Sequence, residues 1–145
     1  MKILVLHGVN LDMFGKRDPA VYGTITLAQI DERLRALGRD LGAEVECFQT
    51  NGEKEMCERM HRALGEGFAA VVINAGAWTH YNYAIRDALE ILNLPVFEVH
   101  MSDIHAREEF RRHSVFAGLA RQQFSGRGVE SYLDGLRGAV AAAKK

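Results

Sequence analysis

Two pairs of residues in this chain of 145 each join a proton-exchanging side chain to a charged neighbour. Arg17 and Tyr22 lie in Gly15-Lys16-Arg17-Asp18-Pro19-Ala20-Val21-Tyr22-Gly23, between an apolar run, Ile3 to Leu6, and a helical pattern that opens near Thr26. That gap far exceeds the roughly 2–6 residues of an ordinary strand-to-helix connection, and long connections tend to be lids or binding loops. Glu98 and His100 stand two apart in the run Val96 to Val99 and its end, a spacing that puts both on one face of a strand. Two further strand-like runs lead into polar groups: Ile3–Leu6 into His7-Gly8-Val9-Asn10, and Ala70–Ile73 into Asn74-Ala75-Gly76-Ala77-Trp78-Thr79-His80. These ends offer uncharged hydrogen-bonders and imidazoles, groups of acid–base chemistry and not of a phosphate cradle.

Several chemistries lack their residues. There is no GxGxxG and no GxxxxGK[ST], so nucleotide binding has no motif behind it. A phosphoacceptor site would need clustered acids after the first strand, where only Asp12 is near, and no HExxH accompanies the six histidines. Taken singly, Tyr22 also reads as a loop tyrosine over apolar surface, Arg17 as a solvated charge, His100 as a satisfied strand-end histidine, and Asn10 and Asn74 as turn residues.

The elements that would position these groups alternate in hydrophobic period. Strand-like runs at Ile3–Leu6, Val45–Phe48, Ala70–Ile73 and Val96–Val99 are joined by a weaker, more polar one at Ala120–Ser125. Between them, Leu27, Ile30, Leu34, Leu37 and Leu41 recur at helix spacing after a capping-box pattern, Thr26-x-x-Gln29. Met56, Met60, Ala63 and Leu64 form a second stripe; Ala84, Ile85, Ala88, Leu89 and Leu92 a third, closed by Asn93; Leu133, Leu136 and Val140 the last. Strands alternating with helices predict a parallel sheet covered on both faces. The expected fold is α/β and flavodoxin-like, with five strands in the order 2-1-3-4-5 and residues 1–145 as one catalytic domain. In such sheets ligands sit beyond the carboxyl ends of the strands, where the strand order reverses.

Composition sets the class. The chain is 48% hydrophobic and 26% charged, as in globular domains, and Lys+Arg 18 against Asp+Glu 19 gives a net charge of −1. No basic footprint points to nucleic acid, and no apolar run is long enough for a membrane helix. Cys47 and Cys57 form no CxxC or metal spacing and read as reduced thiols of a cytoplasmic protein.

Several motifs in series resemble the type II 3-dehydroquinate dehydratases along nearly the whole chain. They are Gly8-x-Asn10-Leu11, Gly15-x-Arg17-Asp18-Pro19-x-x-Tyr22-Gly23, Asn74-x-Gly76-x-x-Thr79-His80, Arg86-Asp87-Ala88, and Glu98-Val99-His100-x-Ser102-x-Ile104-His105-Ala106-Arg107-Glu108-Glu109-Phe110-Arg111. The resemblance implies trans dehydration of 3-dehydroquinate to 3-dehydroshikimate through an enolate, with no cofactor, no metal and no Schiff base, by a dodecamer of four trimers.

It also implies roles. Proton removal alpha to a ketone needs a base, and donors near the developing oxyanion. Tyr22, ionised beside Arg17 on a lid at about residues 11–24, would be that base. His100, oriented and charged by Glu98, would protonate the leaving hydroxyl, and Asn10 would hold a water against the enolate. Asn74, His80 and Arg111 would grip the substrate's hydroxyls, with its carboxylate on the amides of Met101 and Ser102, where a short helix is expected to begin. Asp87 would reach a neighbouring subunit's site. His105 and Arg107 are expected on that helix as structural residues, paired with Glu108, Glu109 or nearby backbone. His7 is near no required step, and His61 and His113 read as surface residues. Lys16, the lysine nearest the site, lies on the loop and not in a pocket, which disfavours Schiff-base chemistry. The chain departs from the family pattern at Val9, Asp12, Trp78 and Asp103. A catalytically silent relative that binds a cyclic hydroxy acid as a sensor is the alternative, though a binder needs no base–acid pair.

Overall fold

β-branched and aliphatic runs flanked by helices at the expected spacing build a parallel sheet with helices on both faces. The computed structural model describes residues 1–145. Strands β1 (Lys2–Val9), β2 (Glu44–Gln49), β3 (Phe68–Gly76), β4 (Val96–His100) and β5 (Gln122–Ser125) pair in parallel in the order β2-β1-β3-β4-β5. Four helices of ten or more residues cover them: α2 (Leu27–Asp40), α3 (Glu53–Ala63), α4 (Tyr83–Leu92) and α5 (Val129–Ala143). A single turn, α1 (Pro19–Tyr22), precedes these. No helix is long and apolar enough to cross a membrane.

Alternation along each strand divides the core. Ile3, Val5, Ala70, Val72, Phe97 and Val99 face α2 and α5, where they meet Ile30, Leu34 and Leu136. Their neighbours Leu4, Leu6, Val71, Ile73 and Val96 face α3 and α4, packing on Met56, Met60, Ile85 and Leu89. A strand buried on both faces reads as an unbroken apolar run, which is why these were visible in sequence. The expected capping box opens α2: Gln29 N–H donates to Thr26 Oγ1 at 3.2 Å, and Thr26 N–H to Gln29 Oε1 at 2.9 Å.

Two close approaches need glycine. At Gly8 a Cβ would stand 2.2 Å from the carbonyl oxygen of Ala75, so β1 and β3 meet where a side chain has no room. At Gly135 it would stand 2.5 Å from Val99 Cγ2, so α5 lies directly on the sheet.

The differences from the sequence reading are local. The weak fifth strand is shorter than Ala120–Ser125: Arg121 N–H still bonds Val96 O at 2.8 Å, but the ladder starts at Gln122. Leu64 falls beyond α3 and is exposed. The stretch before Thr26 is not structureless, because Asp18 accepts from Ala20 N–H at 3.0 Å and caps α1, with Pro19 at its first position. After β4 there is no helix at Met101; a short 3₁₀ turn spans Ile104–Ala106, capped by Asp103.

Gly8→Ala should destabilise the fold by about 1–3 kcal/mol, the usual cost of overpacking, since the atom it meets is backbone and cannot rotate away. Urea unfolding would read this against Gly65→Ala, where a Cβ meets nothing within 4 Å and the change should stay within about 0.5 kcal/mol.

Candidate active site

The carboxyl ends of β1, β3 and β4 enclose a cavity of about 110 Å³ lined by Asn10, Arg17, Tyr22, Asn74, His80, His100, Met101, Ser102, Arg107 and Arg111. It lies where the sheet order reverses between β1 and β3. Nine of the sequence-derived site residues therefore meet around one space, with Val9, Leu11, Phe14 and Ile104 as apolar wall. Glu98 stands behind His100 and does not line it, and Asp87 is exposed on α4, outside it.

Tyr22 ends α1 and is half-buried against Phe14, with ring centroids 5.9 Å apart. The guanidinium carbon of Arg17 lies 3.9 Å from the Tyr22 ring centroid, a cation over a π face. A second guanidinium completes the arrangement. Arg107 Nη1 donates to the Tyr22 hydroxyl oxygen at 2.8 Å and to Ser102 Oγ at 3.3 Å, and its guanidinium carbon sits 5.2 Å from the same ring. Arg107 is thus a site residue and not a structural one paired with Glu108 or Glu109. His105, by contrast, does lie outside the cavity, with Nε2 on Gln123 Oε1 at 2.9 Å in place of the expected partners.

The acid–base pair on β4 is almost fully buried, Glu98 at 1% and His100 at 5% exposure. His100 Nε2 lies 2.5 Å from Glu98 Oε2, which also accepts from Ser114 Oγ at 2.8 Å and Gln123 Nε2 at 3.1 Å. Oε1 has no partner, so the anion's hydrogen bonds concentrate on one oxygen. Burial by itself would raise the Glu98 carboxyl; the bonds from His100, Ser114 and Gln123 outweigh it and hold the group below the ordinary carboxylate range. A carboxylate accepts only, so Nε2 of His100 carries a proton and Nδ1 is the nitrogen left for a ligand.

The remaining groups are held from outside. His80 Nδ1–H donates to the His113 carbonyl at 2.7 Å, which leaves Nε2 as an acceptor. Burial, with the nearby charges of His100 and Arg111, pushes the His80 ring below its usual value despite that bond. Arg111 Nε pairs with exposed Glu108 at 2.5 Å. Asn10 adopts a left-handed φ of 68° at the start of a 3₁₀ turn, Leu11–Met13, yet its side chain makes no cap bond. Turn chemistry and a free amide therefore coexist there. Asn74 Oδ1 accepts from Gly76 N–H at 3.2 Å. The carbonyls of Met101 and Ser102 accept from Gly128 and Gly126 N–H at 3.0 and 3.2 Å, which fixes the turn after β4.

The family model of class II dehydroquinases matches residues 1–140. The chain belongs to this family. It is 67% identical over 140 residues to the 3-dehydroquinate dehydratase of Leptothrix cholodnii, covering 97% of this chain and 94% of that one. It is 69% identical over 131 residues to that of Pelobacter propionicus, covering 90% and 88%. The type II dehydroquinase of Butyrivibrio crossotus superposes with a TM-score of 0.93 at 36% identity, covering 96% of this chain and 97% of that one. A class II dehydroquinase fold thus carries the cavity.

Because the Glu98 carboxyl is depressed, it adds stability above its ordinary value near pH 4.3, and this is lost as pH falls through the lower folded-state value. Glu98→Gln should flatten the acid side of the stability profile: urea unfolding between about pH 3 and pH 6 should show a smaller rise with pH than in the parent chain. An unchanged slope would mean the carboxyl is not depressed.

Proposed function

We propose that the protein dehydrates 3-dehydroquinate to 3-dehydroshikimate through an enolate, with Tyr22 as base and His100 as acid. The observation that carries this reading is the Tyr22 hydroxyl held at 2.8 Å by Arg107 under the cation of Arg17, in one cavity with the Glu98-backed His100. Two guanidiniums converge on the hydroxyl and ring of Tyr22, the one phenol in the cavity. The phenolate takes the proton alpha to the ketone, and the electron pair moves onto the carbonyl oxygen. Asn10, whose side chain is not spent on the turn, supports a water against that oxygen. The enolate then collapses, restoring the carbonyl and forming the new C=C, and the tertiary hydroxyl leaves as water with a proton from His100, which Glu98 holds in place. Asn74, His80 and Arg111 hold substrate hydroxyls, and the Met101–Ser102 turn receives the carboxylate. The two proton transfers account for the whole dehydration, so the scheme calls on no cofactor, metal or Schiff base.

Relatives carrying the name 3-dehydroquinate dehydratase at 67% and 69% identity support the same reaction here. No feature of the cavity favours a sensor, which would need no base–acid pair. Two free cysteines are in keeping with a cytoplasmic enzyme.

The assembly belongs to the same reading. Asp87 is exposed on α4 between Tyr83, 61% exposed, and Ile91, 57% exposed, each four residues away and so one turn along the same face. Large apolar side chains around an unpaired acid suit a subunit contact that delivers Asp87 to a neighbour's cavity, as in trimers and a dodecamer built from them.

Tyr22→Phe should lower kcat by roughly 10²–10⁴-fold, the usual worth of a positioned general base, followed as enone absorbance from 3-dehydroquinate. Arg107→Ala should lower kcat in the same direction, since it removes the one hydrogen-bond donor to that oxygen. A Tyr22→Phe enzyme with normal turnover would sink the assignment. Sedimentation should give a species far above 16.2 kDa in multiples of three chains, and a fully active monomer would end the trimer idea.

A further inference from the structure

His7, Asp31 and Cys47 converge on one point of the structure, and none of the three lines the catalytic cavity. Strand pairing brings the first and last together. Val5 on β1 stands beside Cys47 on β2, and His7, two residues on, shares the face that Val5 turns toward α2 and α5. Asp31 reaches that face from α2, with Oδ1 2.7 Å from His7 Nε2. The imidazole nitrogen, the carboxylate oxygen and the thiol sulfur all lie within 4.8 Å of one another. Sequence spacing hides the group, because each member comes from a different element.

The donor set selects an ion. A thiolate with an imidazole suits zinc, whereas magnesium and calcium take oxygen. Tetrahedral zinc holds such atoms about 3.3–3.7 Å apart. His7 and Asp31 would part slightly and Cys47 would close in, shifts of about 1 Å from that geometry. Asp31 and Cys47 are only half-buried, so rotation of their side chains can supply the movement. Arg35, one turn along α2 from Asp31, is exposed and does not fill the space.

The other nitrogen of His7 is held as a metal-bound imidazole requires. Nδ1 lies 2.9 Å from the hydroxyl of Tyr132, itself fully buried on α5, so with a metal on Nε2 the ring keeps an oxygen partner that fixes its orientation. We propose that His7, Asp31 and Cys47 form a zinc-binding site, three protein ligands with a water in the fourth place, that ties β1, β2 and α2 together. Asp31 keeps 18% of its side-chain surface, which gives the ion its way in and the water its place. Binding releases the Cys47 thiol proton to solvent and leaves His7 with one ring proton, on Nδ1. The reaction proposed above uses none of these groups, so the site stands or falls by itself.

Cobalt titration tests it, since cobalt(II) takes zinc's geometry and reports its ligands. In the reduced protein, one equivalent per chain should give a thiolate-to-cobalt charge-transfer band in the near ultraviolet. The strong visible bands of four-coordinate cobalt should accompany it, and one equivalent of zinc should bleach both. Cys47→Ser should abolish the charge-transfer band, and Cys57→Ser should leave the spectrum unchanged. Tyr132→Phe should keep the band and weaken binding roughly 10–100-fold, the usual cost of removing a ligating histidine's outer partner. Zinc should raise the thermal unfolding midpoint of the parent chain and leave that of Cys47→Ser where it was. A weak six-coordinate spectrum without charge transfer, a band that survives Cys47→Ser, or one lost in Cys57→Ser would overturn the proposal. Should Cys47→Ser not fold, Asp31→Asn decides: the band should remain while binding weakens at least about tenfold, and an unchanged affinity would refute the site.

Discussion

β1 and β3 touch so closely at their carboxyl ends that Gly8 has no space for a side chain against Ala75, and the site is arranged around that contact. The strand order reverses here: the chain leaves β1 for β2 on one side, while β3 and β4 continue on the other. Loops departing from the two strands diverge, and a parallel sheet has nothing else with which to fill the gap. Each following segment contributes one kind of group to it. The segment after β1 brings Asn10, Arg17 and Tyr22, that after β3 brings Asn74 and His80, and that after β4 brings His100, Arg107 and Arg111. A shift of either strand would misplace all three sets at once.

Charge is managed in two different ways within this space. Glu98 is buried, and removing one partner from a buried pair typically costs about 3–5 kcal/mol, so His100, Ser114 and Gln123 are needed together. Around Tyr22, two cations converge on a ring without a carboxylate bonded to either. Two like charges side by side repel unless something negative joins them, and an anionic ligand in the cavity would do so. Exposed pairs such as Lys54–Glu58 contribute little by comparison.

Much of this was legible because it rests on long, periodic signals. Strands buried on both faces are unbroken apolar runs, and Thr26 with Gln29 marks a helix start without ambiguity. Glu98 and His100 share a face by the period of a strand, so their contact follows from spacing alone. Arg107 could not be placed so. It sits after a three-residue 3₁₀ turn that carries no periodicity, and its partner Tyr22 is 85 residues distant. The Asp18-Pro19 pair was a sign of α1, since Asp caps and Pro opens helices, but four residues are too few for a hydrophobic pattern. His7 had no local signal at all. Its meaning depends on Tyr132, 125 residues later.

The seating of α5 directly on the sheet has a bearing on how this protein can be altered. A glycine inside a helix is ordinarily the first residue an engineer replaces, because alanine recovers about 1 kcal/mol of helix propensity. At Gly135 that substitution would lift the helix off Val99. Tyr132 lies one turn away on the same helix, and its hydroxyl must stay within reach of His7 at the end of β1. The seating of this helix and the buried Tyr132–His7 bond are therefore bound together, and efforts to harden the scaffold belong on its outward positions.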